Sequence, residues 1–228
     1  MVATMDAHKT ALIDLMVRSE VLTFGDFTAK SGRKTPYFIN AGRYRTGRQI
    51  AELARLYAAA IRQRSVEFDV LFGPAYKGIP LVVATAMALC EDHGLDVGFC
   101  YNRKEAKDHG EGGSLVGQIP KDGDRVLILE DVTTAGTSIH ETVPLLRAQA
   151  DVTLAGLLVS VDRQERGRGQ LNALAELEGT YCMDCFAIVT VDEIIESLRG
   201  RRIDGKLILT DELEQRMREY RAEYGGRS

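Results

Sequence analysis

The chain has 228 residues, 45% of them hydrophobic and 27% charged, with a formal net charge of -4. That length suits one substantial core with a small appendage rather than two domains. The acidic balance disfavours a protein that grips nucleic acid by its phosphates, and no run approaches the roughly 18 apolar residues of a membrane span. In chain order, the opening segment carries acidic residues early and lacks a long apolar stretch with a cleavage signal. It is predicted as an amphipathic helix over 7–19, not a targeting segment, and a cytoplasmic location is expected. "VLTFGDF" and "KTPYFINAG" follow as short strands without a crossover helix, so a small hood is expected, built mainly from about 1–45. Helices expected over 46–64, 78–92, 138–149, 191–199 and 211–223 then alternate with apolar runs at 68–73, 96–102, 124–131, 153–162 and 185–191. Unbroken apolar strands are buried on both faces. The alternation therefore predicts an α/β fold over 1–228, a central mostly parallel sheet flanked by helices. Pro144 lies beyond the first turn of the 138–149 segment and removes a backbone hydrogen bond, so a kinked or late-starting helix is expected there.

Ligands of open α/β sheets bind outside the carboxyl ends of the strands. Four unusual stretches fall at such ends: "GPAYKGIP" after Phe72, "NRKEAKDHGEGG" after Tyr101, "EDVTTAGTS" after Leu129 and "DRQERGRG" after Val161. Each alone reads as a solvated loop; together they outline a site. In the third, two carboxylates, Glu130 and Asp131, end a buried strand, where such groups are rarely left without a partner. Thr134 to Ser138 then open a helix whose free N–H groups, dipole and hydroxyls favour a phosphate, with Gly136 allowing close approach. The carboxylates can take hydrogen bonds from sugar hydroxyls or help to hold a metal, so a ribose phosphate is implied. Taken by itself the motif also reads as a capping turn beside a buried ion pair.

Two common nucleotide fingerprints fail. There is no G-x-x-x-x-G-K-[ST], and "GRGQLN" places Asn172 where the dinucleotide motif needs its third glycine. Cys182 and Cys185 form one C-x-x-C with no second pair or nearby His to complete a zinc site, and "CFAIVTV" continues as a strand, so reduced cysteines at a strand entrance are expected. His8, His93 and His140 have no matching ligand partners in sequence and are read as satisfied or exposed.

"LILEDVTTAGTS" resembles the phosphoribosyl pyrophosphate signature of the type I phosphoribosyltransferases. "KSGRKTPYFIN", "FGPAYKGIPL", "YNRKEAKDHGEGG" and "SVDRQERGRG" resemble the orotate phosphoribosyltransferases, in matched order from about Phe24 to Gly169. The resemblance implies the type I phosphoribosyltransferase fold. It also implies transfer of the 5-phosphoribosyl group from phosphoribosyl pyrophosphate to orotate with Mg²⁺, giving orotidine 5'-monophosphate and pyrophosphate in pyrimidine synthesis. Phosphoribosyl pyrophosphate is then expected on Lys30, on Tyr76 and Lys77, and on Arg103, Lys104, Lys107 and His109. Its ribose phosphate is expected on Thr134, Ala135, Gly136, Thr137 and Ser138, with Glu130 and Asp131 near the ribose and Val132 and Thr133 also implied to bind phosphoribosyl pyrophosphate. Lys107, His109 and Asp131 are the implied catalytic residues, and Mg²⁺ is expected to be held mainly through substrate oxygens and water.

The charges suit that chemistry. Loss of pyrophosphate builds positive charge on the sugar and negative charge on the leaving group, so cations belong near pyrophosphate and carboxylates near ribose. Orotate, a flat ring with a carboxylate, asks for an apolar face and a planar donor fork. Phe38, Ile39, Thr134 and Arg163 are the implied contacts, Ile39 standing where related sequences often carry a second aromatic. In residues 103–113 the charges nearly cancel, and Gly110, Gly112 and Gly113 make the segment costly to order without a ligand, which fits a lid over pyrophosphate. In the family this loop reaches into the neighbouring subunit, so a homodimer with shared sites is expected. A purine or uracil transferase would share 127–138 but lack "RKEAKDHGEGG" and the pairing of Phe38 with Arg163. A regulator that senses the same ligand while binding DNA would need a basic face or an added domain, and the sequence offers neither.

Overall fold

The computed structural model describes residues 5–28, 32–104, 114–133 and 136–227. Helix α1 (Ala7–Arg18) buries Leu12, Ile13, Leu15 and Met16, the spacing of one helical face, and joins the main core. Strands β1 (Leu22–Thr28) and β2 (Lys34–Ile39) form a separate antiparallel hairpin with a register shift between Phe24 and Phe27. Strand alternation on β2 buries Tyr37 and leaves Phe38 exposed. Helix α2 (Gly47–Arg64) starts in a capping box. The Thr46 hydroxyl accepts from the Gln49 N–H while the Gln49 side chain returns to the Thr46 N–H.

The main sheet has the order β5-β4-β3-β6-β7-β8. Its members are β3 (Val70–Gly73), β4 (Gly98–Asn102), β5 (Leu115–Gly117), β6 (Arg125–Val132), β7 (Thr153–Asp162) and β8 (Asp184–Thr190). All neighbours are parallel except β5, which pairs antiparallel with β4 at the edge. Both faces are covered, as the apolar strands require. On β6, Leu127 and Leu129 enter one core with α1, α2, α3 (Gly78–His93) and α6 (Val191–Leu198), while Val126 and Ile128 enter a second core with α4 (Thr137–Gln149) and α5 (Ala173–Tyr181). A small hairpin, β9 (Arg202–Ile203) with β10 (Lys206–Leu207), leads to α7 (Asp211–Tyr224), which packs against β2.

Three elements differ from the expectations. Helix α4 begins at Thr137 and runs through Pro144 without interruption. It does not start late, and Val143 and Leu146 are buried on either side of the proline. Helix α5 is not among the expected helices because "DRQERGRGQLN" before it reads as loop, yet Asn172 caps it by accepting from the Ala175 N–H at 2.8 Å. The short strand β5 lies directly beyond the glycine-rich segment, whose composition hid it. The four cysteines are free. Cys182 is exposed and caps α5, and burial pushes the Cys185 thiol up to about 12, which disfavours its thiolate. Among the described residues no helix is long and apolar enough to cross a membrane.

Candidate active site

The site is assembled at the carboxyl edge of β3, β4, β6 and β7. Two buried hydroxyls anchor the end of β6: Tyr57 donates to the Glu130 carbonyl at 2.7 Å, and Ser160 donates to the Asp131 carbonyl at 2.5 Å. The Glu130 side chain is only 7% exposed, and its Oε1 accepts from the Asp131 N–H at 3.1 Å. Burial raises its pKa to about 7, the neighbouring Asp131 charge adds to the rise, and the Ser138 hydroxyl opposes it. Glu130 therefore sits in the framework, and Asp131 is the carboxylate that reaches the cleft edge.

Beyond β6 the Thr133 hydroxyl accepts from the Gly136 N–H at 3.0 Å. Gly136 has φ of 65° and its missing side chain leaves room for Leu177, since a Cβ there would lie 2.8 Å from Leu177 Cδ2. Only glycine meets both demands without strain. No side chain caps α4, so the N–H groups of its first turn are left for an anion, with the Thr137 and Ser138 hydroxyls beside them.

A second loop faces this one. A Cβ at Gly73 would lie 2.2 Å from the Gly78 carbonyl oxygen, so the chain between them doubles back tightly. The Ala75 N–H donates to Asn102 Oδ1 at 2.8 Å, tying the loop to the end of β4, and the Ala75–Tyr76 peptide is cis. Tyr76 projects into solvent, and Lys77 Nζ meets Asp131 Oδ2 at 2.8 Å. The Arg103 N–H donates to the Ser114 carbonyl at 2.7 Å, closing the neck of the glycine-rich segment. Lys104 Nζ lies 3.5 Å from Glu141 Oε2. Between these groups is a cavity of about 220 Å³, with Ala75, Asn102, Arg103, Lys104 and Ser138 in its wall.

On the hood side Phe38 is 41% exposed and stacks on Phe27, centroids 5.6 Å apart at 29°. Arg163 follows β7, which pairs with β6 as far as Val132 and Val161, so it stands at the same edge. Its guanidinium lies 5.0 Å above the Tyr37 ring and donates from Nε and Nη2 to Glu165 Oε1 at 2.9 and 2.6 Å.

Residues 41–174 match the family model described as phosphoribosyl transferase domain. The chain is 52% identical over 222 residues to the orotate phosphoribosyltransferase of Clostridium acetobutylicum, covering 97% of this chain and 99% of that one. It is 50% identical over 221 residues to that of Yersinia enterocolitica, covering 97% and 100%. The chain belongs to the orotate phosphoribosyltransferase family. The crystal structure of the Francisella tularensis orotate phosphoribosyltransferase superposes with a TM-score of 0.82 at 35% identity, over 94% of this chain and 98% of that one.

Several family-implied residues gather at one edge: Tyr76, Lys77, Arg103, Lys104, Asp131, Val132, Thr133, Gly136, Thr137 and Ser138. Ile39 is half-buried and lies with Tyr37 on the core side of β2, opposite to Phe38. Lys30, Lys107, His109, Thr134 and Ala135 lie outside the described residues. His140 is satisfied, as expected, by Tyr181 Oη at 2.6 Å. Among the described residues no three His, Cys, Asp or Glu side chains form a group that could hold a metal. Sequence reasoning missed Tyr57, Ser160 and Asn102, which fix the loops, and Tyr37 and Glu165, which hold Arg163. The period-two pattern around Tyr37 marks it as an inward position, whereas nothing in "DRQERGRG" marks Glu165 as buried.

Proposed function

We propose that this site transfers the 5-phosphoribosyl group of phosphoribosyl pyrophosphate to orotate, giving orotidine 5'-monophosphate and pyrophosphate for pyrimidine synthesis. The observation that carries this reading is the opposition of Lys77 and Asp131 beside the uncapped start of α4. The 5-phosphate sits on the N–H groups and hydroxyls of Thr134 to Ser138, Ala135 included. Glu130 shapes the floor, and Asp131 lies beneath the ribose hydroxyls. As the bond from the anomeric carbon to pyrophosphate breaks, Asp131 stabilises the positive charge that grows on the sugar. Lys77, Arg103 and Lys104 take up the charge of the leaving group. Lys30, Lys107 and His109 complete the cationic wall, and the glycine-rich segment closes over it from the partner subunit of a homodimer. Phe38 covers one face of the orotate ring, and Arg163 takes its carboxylate.

Mg²⁺ fits this donor set. A hard cation that keeps several waters needs few protein ligands, and among the described residues the cleft offers Asp131 at its edge and Glu141 in the cavity wall rather than a cage of carboxylates. When bound through substrate oxygens it neutralises pyrophosphate charge. The test is pyrophosphate release with phosphoribosyl pyrophosphate and each of orotate, uracil, adenine and hypoxanthine. Release with orotate alone is expected, and greater release with any other base would overturn the assignment.

A further inference from the structure

We infer that Glu165 is a positioning residue for base recognition, holding the Arg163 guanidinium by one edge so that its other edge faces the substrate carboxylate. The inference rests on the reading of Arg163 as the orotate partner. Guanidinium presents its donors in a rigid plane with two usable edges, and a planar carboxylate is recognised best by two parallel bonds from one of them. In Arg163 the Nε–Nη2 edge is taken, both atoms donating to the single oxygen Oε1 of Glu165 at 2.9 and 2.6 Å. Among the described residues Nη1 has no hydrogen-bond partner, so the terminal edge is presented intact.

The plane of the fork is fixed as well. Tyr37 lies beneath the guanidinium, and its hydroxyl donates to the same Oε1 at 2.9 Å. Arg33 Nη1 meets the other oxygen, Oε2, at 3.2 Å, and the Arg33 guanidinium lies 4.5 Å above the Tyr224 ring of α7. Glu165 thus joins the hood hairpin, the segment after β7 and the C-terminal helix. Its backbone cannot swing freely, because it is bridged to Gly225, and the Gln164 carbonyl accepts from Arg221 Nη1 at 2.6 Å. The side chains of Arg163 and Glu165 are 11% and 7% exposed. Among the described residues, two guanidinium groups share this one carboxylate, which leaves a net positive charge that suits an incoming anion.

Glu165 has two opposing effects on that anion. Its charge lowers the local positive potential, and its geometry orders the fork. For bidentate recognition the ordering dominates, since a fork free to rotate loses one of its two bonds. Glu165→Gln keeps the size, removes the charge that both guanidinium groups share and sets an amide N–H₂ against the donors of Arg33 or Arg163, so the hold on the fork is weakened.

The test is a cycle of Glu165→Gln, Arg163→Leu and the double variant, with orotate KM, phosphoribosyl pyrophosphate KM and thermal unfolding read for each. Glu165→Gln is expected to raise orotate KM about tenfold and leave the phosphoribosyl pyrophosphate KM within about twofold, while the double variant is no worse for orotate than Arg163→Leu alone. Losses that multiply in the double variant, equal losses for both substrates, or tighter orotate binding would each overturn the positioning role. An orotate KM unchanged by Arg163→Leu would instead remove the base-recognition reading on which it rests. If Glu165→Gln does not fold, Tyr37→Phe takes its place. It keeps the ring and loses one bond to Oε1, so a rise of about threefold in orotate KM is expected that disappears in the Arg163→Leu background, and its persistence there overturns the inference.

Discussion

Lys77 and Asp131 join the loop after β3 to the end of β6 across the carboxyl edge of the sheet, Nζ to Oδ2 at 2.8 Å, with the lysine mostly exposed and the carboxylate largely covered. An ion pair with one exposed partner contributes little to stability. Its value lies in keeping both charges at the spot where a phosphorylated sugar brings its own anion. Replacing Asp131 by Asn preserves shape and removes the charge needed as the sugar becomes cationic. Turnover is expected to fall by about 10² or more, with phosphoribosyl pyrophosphate KM changed only a few-fold and stability by less than about 1 kcal/mol. Steady-state kinetics with both substrates checks this, and an unchanged turnover number would remove Asp131 from the reaction.

The tight return between Gly73 and Gly78 is tested by one methyl group. A Cβ at Gly73 meets backbone, the Gly78 carbonyl oxygen at 2.2 Å, so the loop that carries Tyr76 and Lys77 must move. Gly73→Ala is expected to cost about 1 to 3 kcal/mol and to weaken phosphoribosyl pyrophosphate binding. Gly179→Ala in α5 is the control. Nothing lies within 4 Å of its added Cβ, so a gain of about 0.5 to 1 kcal/mol is expected there, as for alanine replacing glycine in a helix. Denaturant titration of both variants, with substrate KM values, separates the loop effect from a general intolerance of substitution.

Glu130 makes stability depend on pH in a direction opposite to that of a salt-bridged acid. Its folded-state pKa is about 7 against an ordinary 4.5, so the folded chain holds this proton more tightly than the unfolded chain. The associated stability is fully present below about 4.5 and is lost as pH rises through about 7. Glu130→Gln keeps the neutral shape, so it should match the parent near pH 4.5 and be more stable at pH 8, by up to about 3 kcal/mol. Urea unfolding at the two pH values measures the difference; a parent that gains stability relative to Glu130→Gln as pH rises would reverse the assignment.

Much of this organisation is legible in the sequence because two signals coincide. The strands of the main sheet are unbroken apolar runs, and a chemically odd loop follows each of four of them. Burial on both faces fixes the first, and the rule that ligands gather at carboxyl ends interprets the second. Less legible is what holds the loops in place. Tyr57 and Ser160 read as ordinary members of a helix and a strand, and only the fold reveals that their hydroxyls end on the carbonyls of Glu130 and Asp131. Glu165 is hidden for a related reason. It lies among arginines and glycines that suggest a solvated loop, and its partners, Tyr37 and Arg33, are more than a hundred residues away in the chain. Helix α5 has caps and length but is preceded by a polar run that masks its start.

Phe38 and Tyr37 are neighbours with opposite exposures, which separates ring contact from packing. Phe38 contributes little to the core, being exposed and, among the described residues, stacked on Phe27, whereas Tyr37 is fully buried. Phe38→Ala is therefore expected to raise orotate KM several-fold while lowering stability by less than about 1 kcal/mol. Tyr37→Ala should cost about 3 to 5 kcal/mol, as large-to-small core changes do. A Phe38→Ala variant with unaltered orotate KM would return this ring to the hood's own packing.

Sharing of the site between subunits is decided by mixing two defective chains. Lys107 and His109 act on the partner's substrate under the proposed arrangement, while Asp131 acts on its own. Lys107→Ala and Asp131→Asn chains are then each inactive as homodimers. In a mixed dimer one site combines the Asp131 of the first chain with the Lys107 of the second, and the other site carries both defects. Random reassociation of equal amounts makes about half the dimers mixed, with one good site in two, so about a quarter of the parent activity is expected to return. A loop that closes over its own subunit leaves every site with one defect and returns nothing. Orotate-dependent pyrophosphate release, measured before and after mild dissociation and remixing, distinguishes the two arrangements. Activity that stays at background would confine Lys107 to the subunit that carries it.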